Sequence, residues 1–386
     1  MHARIRTACA ALVVLGLAAG PLAGTASASP AKTATVLRDS AGPNVKALRA
    51  ALAGLPDDDA TAALVRVGGR DGSWRGSAGV HDLVSGRAAL EHGRFRAGST
   101  TKVVTAAVVL QLAAEGKVDL NGHVQTYLPG LLSAAFKKPI TVRQLLTFTS
   151  GLQAGSTLGD VNGEGYENRY KTLTPEEVVA ASVAKGPAPY APGERQQYRN
   201  IDYTVLGMLI ERITGDSYEH QAAVRIFRPL GMRRTSFPGG PDPRVHGPHN
   251  RGYQRLADGR LVDATEWNMS DRWAAGDMIS TTADLERLLV GLFRGKVVPR
   301  PLLRKEMLTL PKVKEGVATM SAGLQYYEKD GVALWLKTGA RPGYSTVIAT
   351  TPDLSRTLVY SINATDAKSE DMNPVAERVL NATFLT

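Results

Sequence analysis

Ser99 and Lys102 stand three residues apart in the run Phe95-Arg96-Ala97-Gly98-Ser99-Thr100-Thr101-Lys102. That spacing predicts a hydroxyl and an amine on one face of the first turn of a helix. Gly98 breaks the extended residues before it. Val103, Val104, Ala106, Ala107, Val108, Val109, Leu110 and Leu112 then carry an apolar helix towards Gly116. A helix apolar on every side is a buried one. A serine at its start sits among unpaired N–H groups at the positive end of the helix dipole, which suits a nucleophile that sheds a proton and then holds an acyl group. Serine is also a common helix cap. By itself the pair therefore reads either as nucleophile and amine or as a cap and a surface lysine.

A serine nucleophile needs a base. His81, His92, His123, His220, His246 and His249 all lie in polar or turn-like segments with no evident partner, and no G-x-S-x-G elbow is present. Pro248 keeps His246 and His249 off a regular helix, so no metal site is expected, and no cofactor. The run Tyr198-Arg199-Asn200 offers an alternative base. It follows the turn Pro192-Gly193 and precedes an apolar helix from Ile201, and its alternate spacing aims Tyr198 and Asn200 the same way. A phenol set near two ammonium groups is expected to have its pKa lowered. The plainer reading makes Tyr198 a half-buried core residue and Asn200 a helix cap. Lys337-Thr338-Gly339 closes an apolar strand. Lys337 is then either a sheet-edge lysine facing water or a charge that holds a carboxylate and biases Tyr198. Gly339 would let a substrate approach the strand backbone closely.

These three segments lie far apart in the chain and need a scaffold. A helix is expected over 44–52, then strands 62–67 and 74–80 joined as a hairpin. Thr141 caps a short helix over 142–147, and 151–165 is a glycine-rich loop. Thr174-Pro175-Glu176-Glu177 starts another helix, followed by helices over 201–213 and 218–227. Strands return at 332–337, 345–350 and 357–363, and a helix over 373–381 closes the chain. The expectation is an α/β (α+β) fold in which both chain ends build one antiparallel sheet flanked by helices, with an all-helical lobe inserted at about 115–270.

Composition sets bounds. The chain has 386 residues, 43% of them hydrophobic and 21% charged, enough for a sizeable core. Arg4 and Arg6, a short apolar run and Ala26-Ser27-Ala28 read as an export signal over 1–28, cleaved near Ala28 and too short to span a bilayer. The protein is thus expected to be secreted, with no stable membrane insertion and with a domain over 29–386. Cys9, the sole cysteine, leaves with the signal, which excludes thiol catalysis and thiolate metal sites. Loss of Arg4 and Arg6 lowers the net charge from +10 to +8. No basic run is interleaved with aromatics, so nucleic acid is not an expected partner. Weak attraction to an anionic cell wall is.

Taken together, S-x-x-K, Y-x-N and K-T-G in this order resemble the penicillin-recognising serine hydrolases, in the branch of class C β-lactamases and secreted D-alanyl-D-alanine carboxypeptidases. The runs 140–152, 206–215, 229–232 and 275–280 share that framework, and the likeness extends from about Ala34 to the C-terminus. It implies a β-lactamase/transpeptidase-like fold and an acyl-enzyme mechanism on peptidoglycan-type peptides, with acylation by β-lactams. Ser99 would attack, with Lys102 and Tyr198 moving its proton. The backbone N–H groups of Ser99 and Ala340 would hold the oxyanion. Asn200 would bind the substrate amide, Lys337 and Thr338 its carboxylate, and Trp267 would line the pocket. Related carboxypeptidases carry histidine at Lys337, threonine at Ala340 and an arginine at Gln325. Arg341 is the candidate replacement for that arginine. Phe148 stands where relatives often carry histidine. A class C-like β-lactamase, a D-aminopeptidase and a small-ester hydrolase share every motif. A penicillin or cell-wall sensor that stays acylated is the non-catalytic alternative.

Overall fold

The structure, a computed structural model, describes residues 42–238 and 241–385. Residues 1–41, which include the expected export signal over 1–28 and Cys9, lie outside the described residues.

Six antiparallel strands make the central sheet. β1 (Ala60–Gly68) and β2 (Trp74–Gly79) come early in the chain. β3 (Gln325–Lys329), β4 (Val332–Arg341), β5 (Tyr344–Thr350) and β6 (Thr357–Ala364) come late. Their order is β2-β1-β6-β5-β4-β3, so the two ends of the chain join where β1 pairs with β6, Leu64 opposite Ser361. The helices that bear on the site are α1 (Val45–Leu52), α2 (Thr101–Ala114), α3 (Asn200–Thr214), α4 (Thr282–Phe293) and α5 (Pro374–Phe384).

Alternation along the strands divides the core in two. Leu334, Leu336, Val347, Ala349, Leu358 and Tyr360 pack beneath α1 and α5. Trp335, Ile348 and Val359 face the opposite way, into a larger core around α2 and α3. Burial on both faces explains why β5 and β6 carry no charged residue. β3 shows no such run: its side chains are mostly half-buried, and it forms one edge of the sheet.

Local signals set the helix ends. Asn44 accepts the Ala47 N–H at 3.0 Å, and Thr141 and Thr174 each complete a reciprocal capping box. Gly215 ends α3 in the left-handed conformation at φ 67°. The stretch expected to be helical throughout also contains a small hairpin, Tyr253–Arg255 against Leu261–Asp263. The chain beyond it holds α4, which packs on β1, β5 and β6. Its Leu285, Leu288, Leu289 and Leu292 are buried at helical spacing, a pattern legible in the sequence.

Candidate active site

Within 95–110 every residue is buried except Ser99. The cause is a short 3₁₀ turn, Gly98–Thr100, ahead of α2. Gly98 has φ +54°, a conformation that costs a residue with a Cβ. Threonines fasten the turn. Thr100 Oγ1 donates to the Ala97 carbonyl at 2.9 Å and Thr101 Oγ1 to the Gly98 carbonyl at 2.7 Å. Thr101 Oγ1 also accepts the Met278 N–H at 3.1 Å, and Thr105 Oγ1 donates to the Ala274 carbonyl at 2.7 Å. The serine turn is therefore held against segment 274–278.

Lys102 is fully buried, and its amine has three neighbours. Nζ lies 2.7 Å from Asn200 Oδ1, 2.5 Å from the Ala275 carbonyl oxygen and 3.2 Å from Ser99 Oγ. Burial pushes its pKa well below the usual lysine value, and the charges of Lys337, Arg341, Lys368 and Arg272 add to the fall. Asn200 is the first residue of α3 and does not cap it; its side chain holds Lys102.

Tyr198 brings the next group. Lys102 Nζ lies 4.9 Å and Lys337 Nζ 5.0 Å from the centre of its ring. The expected fall in its pKa does not occur. Burial pushes the phenol up, outweighing the nearby Ser99 hydroxyl and the charges of Arg341 and Arg272. Its hydroxyl is buried without a well-formed hydrogen bond among the described residues. Tyr198 is thus a neutral phenol at ordinary pH. Phe148 stacks on it at 4.7 Å and on Tyr203 at 5.1 Å, and holds this position with φ 58°.

β4 supplies the remaining wall. β3 reaches only to Leu336, opposite Gln325, so the edge of β4 from Lys337 onward faces the serine turn instead. Both glycines at this junction are required. A Cβ on Gly98 would lie 2.6 Å from Ala340 N, and one on Gly339 would collide with the Ala97 carbonyl and lie 3.1 Å from Ser99 N. The backbone amides of Ser99 and Ala340 belong to these two touching segments. Lys337 is 3% exposed, donates to the Thr338 carbonyl at 2.9 Å, and has its pKa lowered to about 7 by burial. Arg341 is equally buried, and its Nε donates to the Gly276 carbonyl at 3.1 Å.

Ser99, Lys102, Tyr198, Asn200 and the 337–341 strand end are therefore neighbours. Trp267 is a buried tryptophan. It is 4% exposed in a small cluster with Leu158, Ala264 and Met269, against Tyr166, because the loops there need an apolar plug. One participant carries no residue-type signal, the Ala275 carbonyl, since every residue has one.

An antiparallel sheet flanked by helices, with a serine and a buried lysine where its edge meets a central helix, defines the penicillin-recognising class of serine hydrolases. Residues 48–382 match the beta-lactamase family, and this chain belongs to it. The structure is similar to that of a D-stereospecific amidohydrolase from Streptomyces sp. (TM-score 0.77, 31% identity, 88% of this chain and 98% of that one). It is also similar to a D-amino acid amidase from Ochrobactrum anthropi SV3 complexed with L-phenylalanine (TM-score 0.73, 25% identity, 87% and 98%). In sequence it is 29% identical over 195 residues to the protein flp of Staphylococcus aureus (strain MRSA252). That match spans 50% of this chain and 37% of flp. The chain is a serine hydrolase. Among the described residues no helix is long and apolar enough to cross a membrane.

Proposed function

We propose that this hydrolase is a D-alanyl-D-alanine carboxypeptidase acting on peptidoglycan-type peptides through an acyl-enzyme, and that β-lactams acylate it. The observation that carries the chemistry is the set of partners around Lys102. A neutral amine has two N–H bonds and one lone pair. Asn200 Oδ1 and the Ala275 carbonyl can only accept, so they engage both N–H bonds. The lone pair is left for the Ser99 hydroxyl, which then donates to it across 3.2 Å. Burial favours the neutral form of this lysine, which is thereby aimed at the nucleophile.

The steps follow. Ser99 Oγ attacks the carbonyl carbon of the penultimate D-alanine as its proton passes to Lys102. The amides of Ser99 and Ala340 receive the oxyanion, a role usually worth ~3–4 kcal/mol of barrier. The neutral Tyr198 phenol passes a proton to the departing amine. Asn200 Nδ2 is free to bind the acyl amide, while Lys337 and Thr338 hold the terminal carboxylate. Water then enters and attacks the ester, giving a proton to the Tyr198 phenolate, while Lys102 returns its proton to Ser99 Oγ as the acyl group leaves as a carboxylic acid.

The leaving group is inferred from charge. Lys337 and Arg341 are both buried beside the serine turn. The nearby acids do not offset them: Asp271 is paired with Arg272 at 2.8 Å, and burial pushes the Asp277 carboxyl well up, towards its neutral form. A second reading, a D-amino acid amidase, is supported by the similarity to the two amide-cleaving enzymes. Turnover of an N-acyl-D-Ala-D-Ala peptide, D-phenylalanine amide and a chromogenic cephalosporin separates the candidates. The dipeptide should be fastest; ammonia release from the amide at a higher kcat/KM would replace this reading with the amidase.

We further propose that the protein is exported and attracted to the anionic cell wall by its positive charge. A secreted form beginning near Ser29, and salt-sensitive sedimentation with purified wall, are the expected results. An uncleaved intracellular form would overturn the first, and salt-independent sedimentation the second.

A further inference from the structure

A buried hydrogen-bonded chain that the catalytic steps do not use runs to the segment bearing the Ala275 carbonyl. Tyr218, Thr105 and Ala274 are all fully buried. Thr105 Oγ1 lies 2.9 Å from the Tyr218 hydroxyl oxygen and donates to the Ala274 carbonyl at 2.7 Å. A carbonyl only accepts and the threonine hydroxyl has one proton, so the Tyr218 phenol is the donor to Thr105. Burial pushes the Tyr218 pKa well up, which keeps that proton in place across the ordinary pH range. The chain therefore has one direction, from Tyr218 through Thr105 to Ala274.

Its end point is a strained residue. Ala274 has φ +56°, in the left-handed region that a Cβ disfavours. Such a conformation persists only where its surroundings over-determine it. The Ala275 and Gly276 N–H groups both donate to the Arg272 carbonyl, at 2.9 and 2.7 Å. Gly207 of α3 leaves room for the bend: a Cβ there would lie 2.6 Å from the Ala274 Cβ and 2.7 Å from the Trp273 ring. Thr105 holds the bend from the side of α2. It stands one turn beyond Lys102, and the two side chains take the consecutive carbonyls of Ala274 and Ala275. Rotation of the first carbonyl away from Thr105 carries the second away from Lys102. The lysine then keeps Asn200 Oδ1 as acceptor and is free to turn an N–H, instead of its lone pair, towards Ser99.

We propose that Thr105 is a positioning residue for acylation: through the Ala274–Ala275 peptide it keeps the Ala275 carbonyl on one N–H of Lys102, and so keeps the lone pair of that lysine on Ser99. The proposal rests on the reading of Lys102 as base, and on no particular substrate. Intact-mass spectrometry over time, at increasing benzylpenicillin, gives the limiting acylation rate constant and the half-saturating concentration. The rate constant, unlike the labelled fraction, does not depend on how much of the protein is folded. Thr105→Val removes the hydroxyl and keeps the shape; Thr105→Ala removes it without setting a methyl group against the Ala274 carbonyl. Both should lower the limiting rate constant by about 10- to 100-fold, as when a catalytic group is displaced by about 1 Å, with the half-saturating concentration unchanged. Thr105→Ser should restore it. Because Thr105 acts through Lys102, Thr105→Ala should slow acylation no further in a Lys102→Met background. A wild-type rate constant in Thr105→Val or Thr105→Ala, or an undiminished effect of Thr105→Ala on top of Lys102→Met, overturns the proposal and leaves Lys102 in its role. Acylation at the wild-type rate in Lys102→Met alone would sink the reading of that lysine as base, and this proposal with it.

Discussion

Lys102 Nζ lies 3.2 Å from Ser99 Oγ, one turn along a helix whose start is otherwise sealed from water. Lys102→Met keeps most of the side-chain length and removes the amine. Penicillin acylation should slow by about 10²–10⁴-fold, the usual share of a general base. Stability should fall by only about 1–3 kcal/mol, from the acceptors left unpaired. Stopped-flow acylation and urea titration measure the two effects. Acylation at a normal rate would remove Lys102 from the role of base.

Charge on the two lysines predicts opposite pH limbs. Lys102 must be unprotonated to accept a proton, so acylation slows as pH falls through its lowered pKa. Lys337 must be protonated to hold a carboxylate, and its pKa in the free protein is about 7. For the D-Ala-D-Ala peptide, kcat/KM should therefore decline above about pH 7. A neutral nitrophenyl ester should lack that decline. Matching alkaline limbs for the two substrates would show that Lys337 does not serve the carboxylate.

Tyr198→Phe removes the phenol but leaves a ring to stack on Phe148. Turnover should drop by about 10²–10⁴-fold with little change in the unfolding midpoint. Near-normal turnover would exclude the phenol as the proton carrier.

Phe148→Ala tests the support beneath that ring. It removes a buried side chain in contact with Tyr198 and Tyr203, so stability should fall by about 3–5 kcal/mol, read from denaturant melts. A loss below about 1 kcal/mol would mean that the stack contributes little.

Gly339→Ala places a methyl group against the Ala97 carbonyl and 3.1 Å from Ser99 N. The strand and the serine turn must part, spoiling the alignment of their amides. Acylation should fall by about 10²–10³-fold, as when an oxyanion donor is lost. An active Gly339→Ala protein would place the oxyanion site elsewhere.

Residue type and spacing alone determined much about this protein. The serine–lysine tetrad, the Tyr198–Asn200 pair and the Lys337-Thr338-Gly339 strand end are short-range patterns, and so are the capping boxes and the turn glycines. The apolar run of α2 marks a buried helix whatever surrounds it. Tertiary structure decided what those groups are chemically. A nearby charge predicts a lowered phenol pKa for Tyr198, but desolvation reverses the sign, and burial is a property of the packed chain. Only folding brings the Ala275 carbonyl to Lys102 and stacks Phe148 on Tyr198. Those contacts join distant segments through backbone atoms and ring faces, which leave no periodic or compositional trace in a linear chain.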